Sequence, residues 1–167
     1  PEETREVRLE IKQEEKWKEI QRVEVSYPGW SAHFRIENWN SNLNVPYRVR
    51  HGKKAAFEGL IREDPLKKES IVVGNLSCNS SRTTGPRPQI IENLKILDPD
   101  LLFFAGDQTY HHTQHTAGWI EFGLQFRELM KDRPTVTIPD DHDVGQGNLW
   151  GESGIKATSP AGNSGCL

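Results

Sequence analysis

Three short apolar runs, each followed at once by side chains with metal-holding chemistry, constrain this chain more than anything else in it. Ser70-Ile-Val-Val-Gly-Asn-Leu-Ser-Cys78 ends in a thiol, and Asp100-Leu-Leu-Phe-Phe-Ala-Gly-Asp107 ends in a carboxylate. Thr135-Val-Thr-Ile-Pro-Asp-Asp-His-Asp143 ends in acids around an imidazole. The stretches between them, 89–97 and 118–131, read as helices. In the second, Trp119, Phe122, Phe126 and Leu129 recur at steps of three and four, which is one face of a helix packed on a sheet. The order is therefore strand, helix, strand, helix, strand. With parallel strands and right-handed crossovers, all three polar clusters fall on one edge of one sheet. The expectation is a βαβαβ unit with a single composite site.

The region before it has a different grammar. Val7, Leu9 and Ile11 alternate with charged residues, as expected of an edge strand, and Val23 and Val25 alternate again before the turn signal Tyr27-Pro28-Gly29. Residues 14–19 are ambiguous between a turn and a short helical piece. Ala32-His-Phe-Arg-Ile-Glu-Asn-Trp39 alternates over four apolar steps, and the stretches 47–52 and 55–62 read as a hairpin around Gly52. Four or five short antiparallel strands with aromatic inward faces imply a small β-sandwich-like module. The charged, proline-containing connector 62–69 marks the change of pattern. The expected organisation is α/β: an N-terminal antiparallel domain over 1–67, then an α/β domain over 68–167.

Composition narrows the function classes. Apolar residues make up only 34% of the 167 and charged residues 27%, so the core has to come from the concentrated runs. A net charge of −3 offers no basic surface for nucleic acid or an acidic membrane. Nothing approaches the roughly 20 apolar residues of a membrane span, and no charged-then-apolar leader opens the chain. The first residue is Pro1 rather than Met, so the natural start is expected elsewhere. Cys78 and Cys166 allow one disulfide, but Cys166 sits in a Gly/Ser/Ala/Pro-rich tail that argues against the bridge. Oligomeric state is not encoded in any of these features.

The chemistry concentrates in a few residues. Asp140, Asp141 and Asp143 lie within four positions and repel one another unless solvated or neutralised by a cation. A solvated acidic loop is the plainer reading, but the carboxyl end of a strand is where α/β proteins place ligands. Gly106 permits a tight exit from its strand, and Asp107 has two oxygens to share between metals. A lone cysteine is more often a small buried hydrophobe than a ligand, but the position of Cys78 at a strand end favours a thiolate ligand for a softer or redox-active ion. His111, His112 and His115 have zinc-like spacing, and an exposed polar loop fits them equally well. Neither a Gly-x-Ser-x-Gly elbow nor a Gly-x-x-x-x-Gly-Lys loop is present.

Taken together, Leu76-Ser-Cys78, Pro99-Asp-Leu-Leu-Phe-Phe-Ala-Gly-Asp-Gln-Thr-Tyr110 and Ile138-Pro-Asp-Asp-His-Asp-Val144 with Asn148 resemble the alkaline phosphatase D (PhoD-like) family of metallophosphoesterases. The resemblance covers 70–151. It implies the first half of a metallophosphoesterase α/β sandwich behind the antiparallel domain, and metal-dependent hydrolysis of phosphomonoesters or phosphodiesters. It implies iron and calcium, with zinc or manganese as alternatives. Cys78 and a bridging Asp107 would bind iron, and Asp141 would be a second-metal ligand in place of the superfamily's Asn. His142 would contact the phosphate or leaving oxygen and Asp143 would orient it. Tyr110 and Asn148 would join the metal site. The family's late Gly-His-x-His-type ligands have no counterpart after Asn148, so the chain is expected to be the N-terminal part of a longer enzyme, exported to the periplasm or secreted. The competing expectations are a non-catalytic cation-binding module and a zinc hydrolase built on His111, His112 and His115.

Overall fold

The structure is a computed structural model, and it describes residues 5–52, 55–80, 87–112 and 114–144. The chain divides into two compact units, Pro1–Lys68 and Glu69–Leu167.

In the first unit, β1 (Glu6–Gln13), β2 (Lys16–Glu24), β3 (Val45–His51) and β4 (Ala55–Ile61) form one antiparallel sheet in the order β2-β1-β3-β4. Glu14 and Glu15 make the β1–β2 turn with positive φ of 47° and 64°, so the stretch ambiguous in sequence is a turn running into a long strand. Strand β2 is mostly polar, six of its nine residues, and is held in part by its neighbours' charges. Arg22 pairs with Glu6 of β1 at 3.1 Å, Arg8 with Glu19 at 3.7 Å, and the Arg48 guanidinium of β3 lies 4.3 Å from the centre of the Trp17 ring. Exposed ion pairs of this kind each contribute about 0–1 kcal/mol, so Leu9 and Ile11, both buried, supply the apolar anchor. The hairpin around Gly52 forms as expected, His51 opposite Ala55, with Gly52 at φ 58°.

The sandwich does not form among the described residues, which hold one four-stranded antiparallel layer in this unit. The stretch 32–39 is the reason. Its side chains alternate between half-buried and exposed from Ala32 to Glu37, as the sequence pattern requires, but its backbone pairs with no strand. The Arg35 N–H instead donates to the Gln21 side-chain oxygen at 2.9 Å. Alternation fixed which side chains face the sheet, not whether the backbone joins it.

The second unit follows the expected alternation. It runs β5 (Val73–Leu76), α1 (Arg87–Leu97), β6 (Leu101–Ala105), α2 (His115–Met130), β7 (Thr135–Ile138) and the single turn α3 (Asp141–Val144). The strands are parallel in the order β5-β6-β7, with Gly74 opposite Leu102 and Leu102 opposite Thr135. Both helices begin earlier than expected. Pro88 sits in the first turn of α1, where its missing N–H costs nothing. Gly118 lies inside α2 rather than starting it, because the loop at Thr109 crosses that turn closely. A Cβ on Gly118 would stand 2.0 Å from the Thr109 hydroxyl oxygen.

Leu102, Phe104, Phe122, Phe126 and Leu129 form the core of this unit, with Leu76, Ile91, Leu94, Trp119 and Met130 packed around it. Phe104 meets Phe122 and Phe126 edge-on at centroid distances of 4.8 and 5.0 Å. Each fully buried side chain of this size contributes about 1.5–3 kcal/mol, and the aromatic pairs about 0.5–1.5 kcal/mol more. The core thus lies on one face of β6 and fixes that strand against α2. Among the described residues no helix is long and apolar enough to cross a membrane.

Candidate metal centre

The parallel order puts β6 between its two partners, so its exit loop is flanked by the exits of β5 and β7. Gly106 leaves β6 with φ 99°, where only glycine is comfortable, and a Cβ there would fall 2.6 Å from the Asp140 Cβ. That close approach brings the β7 exit against the β6 exit. Cys78 and Asp107 both take φ 56°, and the two loops are laced together by backbone bonds. The Cys78 N–H donates to Gly106 O at 3.2 Å and the Asn79 N–H to Asp107 O at 2.8 Å.

One donor atom each from Asp107, Asp141 and His142 lies within 4.8 Å of the other two. Donors bound at 2.0–2.6 Å to a common ion stand at most about 5 Å apart, so the three fit one cation. The two oxygens of Asp107 have different surroundings. Oδ2 accepts from the Tyr110 hydroxyl at 3.0 Å and lies 3.8 Å from the Cys78 sulfur. Oδ1 is buried with no hydrogen-bond partner among the described residues. A buried, unpartnered carboxylate oxygen is costly unless a cation or water satisfies it, and here it sits on a residue of the three-donor group. The residues therefore fit a metal on their own geometry.

Tyr110 belongs to the same cluster. Burial pushes its hydroxyl well above the usual phenol range, and the hydrogen bonds to Asp107 and Cys78 add to this, so it remains a donor to the carboxylate. Its ring stands 4.3 Å from that of His142, and the His112 ring lies edge to edge with His142, centroids 4.8 Å apart and 24° from coplanar, with its Nε2 2.6 Å from His142 Nδ1. His142 Nε2 is 4.0 Å from Asp141 Oδ2.

Asp143 serves the backbone. Fully buried, it accepts from the Thr109 N–H at 2.9 Å and the Asp140 N–H at 3.1 Å, one on each of its oxygens. Burial raises its pKa, and those backbone bonds offset part of the rise. It thus pins the β7 exit to the β6 exit loop, a role that three aspartates within four positions do not reveal.

The three histidines of the 108–116 loop separate. His111 pairs with Glu121 at 3.0 Å, His112 joins His142, and His115 is buried at the start of α2. Among the described residues the only group with metal-holding geometry is Asp107, Asp141 and His142, so the zinc site on His111, His112 and His115 is not formed. Over positions 111–115 the chain carries the three rings to different surroundings. Cys78 is an exposed free thiol at the rim. Asn148 and Cys166 lie outside the described residues.

No protein-family model matches the sequence, and no curated protein does. Among solved structures, the fold is similar to that of a purple acid phosphatase isolated from yellow lupin (Lupinus luteus) seeds, with a TM-score of 0.58 and 15% sequence identity. The match covers 93% of this chain and 34% of that one, so the chain spans about a third of the lupin protein's length. At this identity the likeness is one of architecture alone.

Proposed function

We propose that this chain carries the metal-holding part of a phosphoester hydrolase, with Asp107, Asp141 and His142 as ligands and a phosphate ester as substrate. The observation that carries the reading is the convergence of these three donors at the carboxyl edge of a parallel sheet, on a carboxylate, Asp107, whose Oδ1 is buried without a hydrogen-bond partner among the described residues. The likeness of fold to a purple acid phosphatase supports it. The Leu76-Ser-Cys78, Gly106-Asp107-Gln-Thr-Tyr110 and Asp140-Asp-His-Asp143 motifs support the finer PhoD-like reading, in which Cys78 and Tyr110 complete the ligand set and iron is one of the ions.

A divalent ion bound there supplies Lewis acidity: it lowers the pKa of a bound water and polarises a phosphoryl oxygen. The protein's own part is positional. Tyr110 donates to Oδ2 of Asp107 and so fixes the orientation of that carboxylate, which would hold the ion. Asp143 ties two loops so that Asp107 and Asp141 stand together despite their like charge. His142 serves as the third ligand in this arrangement, which takes precedence over the leaving-group contact expected from the motif because the same Nε2 faces the carboxylates.

Titration calorimetry with Mn²⁺, Zn²⁺ and Fe²⁺, alongside hydrolysis of bis-p-nitrophenyl phosphate, tests the reading. Binding that is abolished in Asp107→Asn, with turnover that needs the ion, is the expected result. An Asp107→Asn protein that binds at wild-type stoichiometry sinks the site. Ion binding without turnover favours the cation-binding module.

A further inference from the structure

The contact between His112 and His142 joins residues 30 positions apart and lies behind the three donors rather than among them. Two ring nitrogens 2.6 Å apart share one proton, so one donates and the other accepts. The choice decides what the far side of His142 presents. If His142 Nδ1 carries the proton, its Nε2 offers a lone pair on the side of Asp141. If His112 Nε2 carries it, His142 Nε2 holds a proton instead and cannot bind an ion. The two rings lie edge to edge, 24° from coplanar with centroids 4.8 Å apart, so the shared proton sits in the ring planes, and the Tyr110 ring stands 4.3 Å from that of His142.

We infer that His112 is a positioning residue that accepts the Nδ1–H of His142 and thereby presents the bare Nε2 of His142 to a metal. The inference rests on the metal-centre reading above. It follows from an asymmetry in the surroundings of His142: Nδ1 faces a neutral-capable acceptor at 2.6 Å, whereas Nε2 faces the Asp141 carboxylate at 4.0 Å, within the three-residue donor group. Partners of this kind behind a metal-binding histidine typically change affinity by about 10–100-fold when removed. His112 arrives by the short polar loop after β6, the same loop that supplies Asp107 and Tyr110. One loop therefore supplies a ligand, the residue that orients that ligand, and the residue that orients the histidine ligand.

Two substitutions separate the acceptor nitrogen from the ring that carries it. His112→Phe keeps a ring against His142 but has no nitrogen, and His112→Gln gives up the ring but places an amide oxygen near the lost Nε2. Ring ¹⁵N spectra of the metal-free protein at pH 8, above the ordinary imidazole range, report the tautomer directly. The His142 signal is the one lost in His142→Asn. Wild type and His112→Gln are expected to show His142 protonated at Nδ1, and His112→Phe to show the Nε2–H form gaining. In Mn²⁺ and Zn²⁺ titrations His112→Phe loses about 10–100-fold in affinity, whereas His112→Gln stays within a few-fold of wild type. An Nε2–H tautomer in the wild type overturns the inference, as does equal loss in both variants. A wild type that binds no ion but shows the His112-dependent Nδ1–H tautomer overturns the metal reading and leaves the positioning contact standing.

Discussion

The exit of β6 makes the sharpest quantitative prediction, through a single methyl group. Gly106→Ala adds a Cβ 2.6 Å from the Asp140 Cβ, where non-bonded carbons rest at about 3.5–4.0 Å, so one of the two loops has to move by about 1 Å. It also places an L-residue at φ 99°. Backbone strain of that kind costs about 1–3 kcal/mol and overpacking about 1–3 kcal/mol, giving about 2–6 kcal/mol in all. At about 2 kcal/mol per molar of urea, the midpoint falls by about 1–3 M. The control is the same substitution at Gly123, in the middle of α2, where an added Cβ meets nothing within 4 Å. There alanine replaces glycine in a helix, and stability rises by about 0.5–1 kcal/mol. Both should be followed by amide signals of β6 and α2, which report the second unit alone. The folded Gly106→Ala protein should also bind metal more weakly, because the displaced loops carry Asp107 and Asp141. A midpoint within about 0.3 M of wild type for Gly106→Ala would refute the close approach of the two loops.

Three further substitutions test other parts of the structure. Asp143→Asn keeps one acceptor oxygen but turns an amide NH₂ toward a backbone N–H, costing about 1–3 kcal/mol; unchanged urea midpoint and unchanged exchange at the Thr109 and Asp140 amides would refute its tying role. Leu129→Ala empties a fully buried position between α2 and the sheet and should cost about 2–5 kcal/mol, while the folded protein keeps its metal affinity in calorimetry. Cys78→Ser leaves the fold intact because the residue is exposed. It should shift ion preference from Zn²⁺ toward Mn²⁺ in competition titrations, and an unchanged ratio would remove the thiolate from the site.

The second unit was legible because its residues repeat in ways that only one element satisfies. A continuous Leu-Leu-Phe-Phe run bounded by Asp100 and Gly106 is a buried strand, and Phe122, Phe126 and Leu129 at helical spacing can only face one way. Convergence of Asp107 with Asp141 followed from strand order alone. The first unit was less legible. Strand β2 carries mostly charged and polar residues, and its stability comes from cross-strand partners on β1 and β3 that no local pattern contains. The stretch 32–39 shows the opposite failure, an alternating pattern that burial satisfies without strand pairing. In the site, the identity of the carboxylates was readable but their division of labour was not. Whether Asp143 faces a histidine or two backbone amides depends on the path of the loop after β6, and that path is set by Gly106 and Gly118 meeting Asp140 and Thr109.

The parallel sheet has one further consequence. Leu102, Phe104, Thr135 and Thr137 share the face that holds the core, and by register Phe103, Val73, Val136 and Ile138 share the other. Val73, Val136 and Ile138 remain 49%, 46% and 46% exposed. The strands at both margins, β5 and β7, also carry unpaired edges among the described residues. A surface of this kind is sticky in two directions, face to face through its side chains and edge to edge through its backbone. In solution the chain should therefore report its own concentration: light scattering should rise and β5 and β7 amide signals should broaden as protein is added. Any measurement of metal stoichiometry belongs at the dilute end of that series, where each copy stands alone.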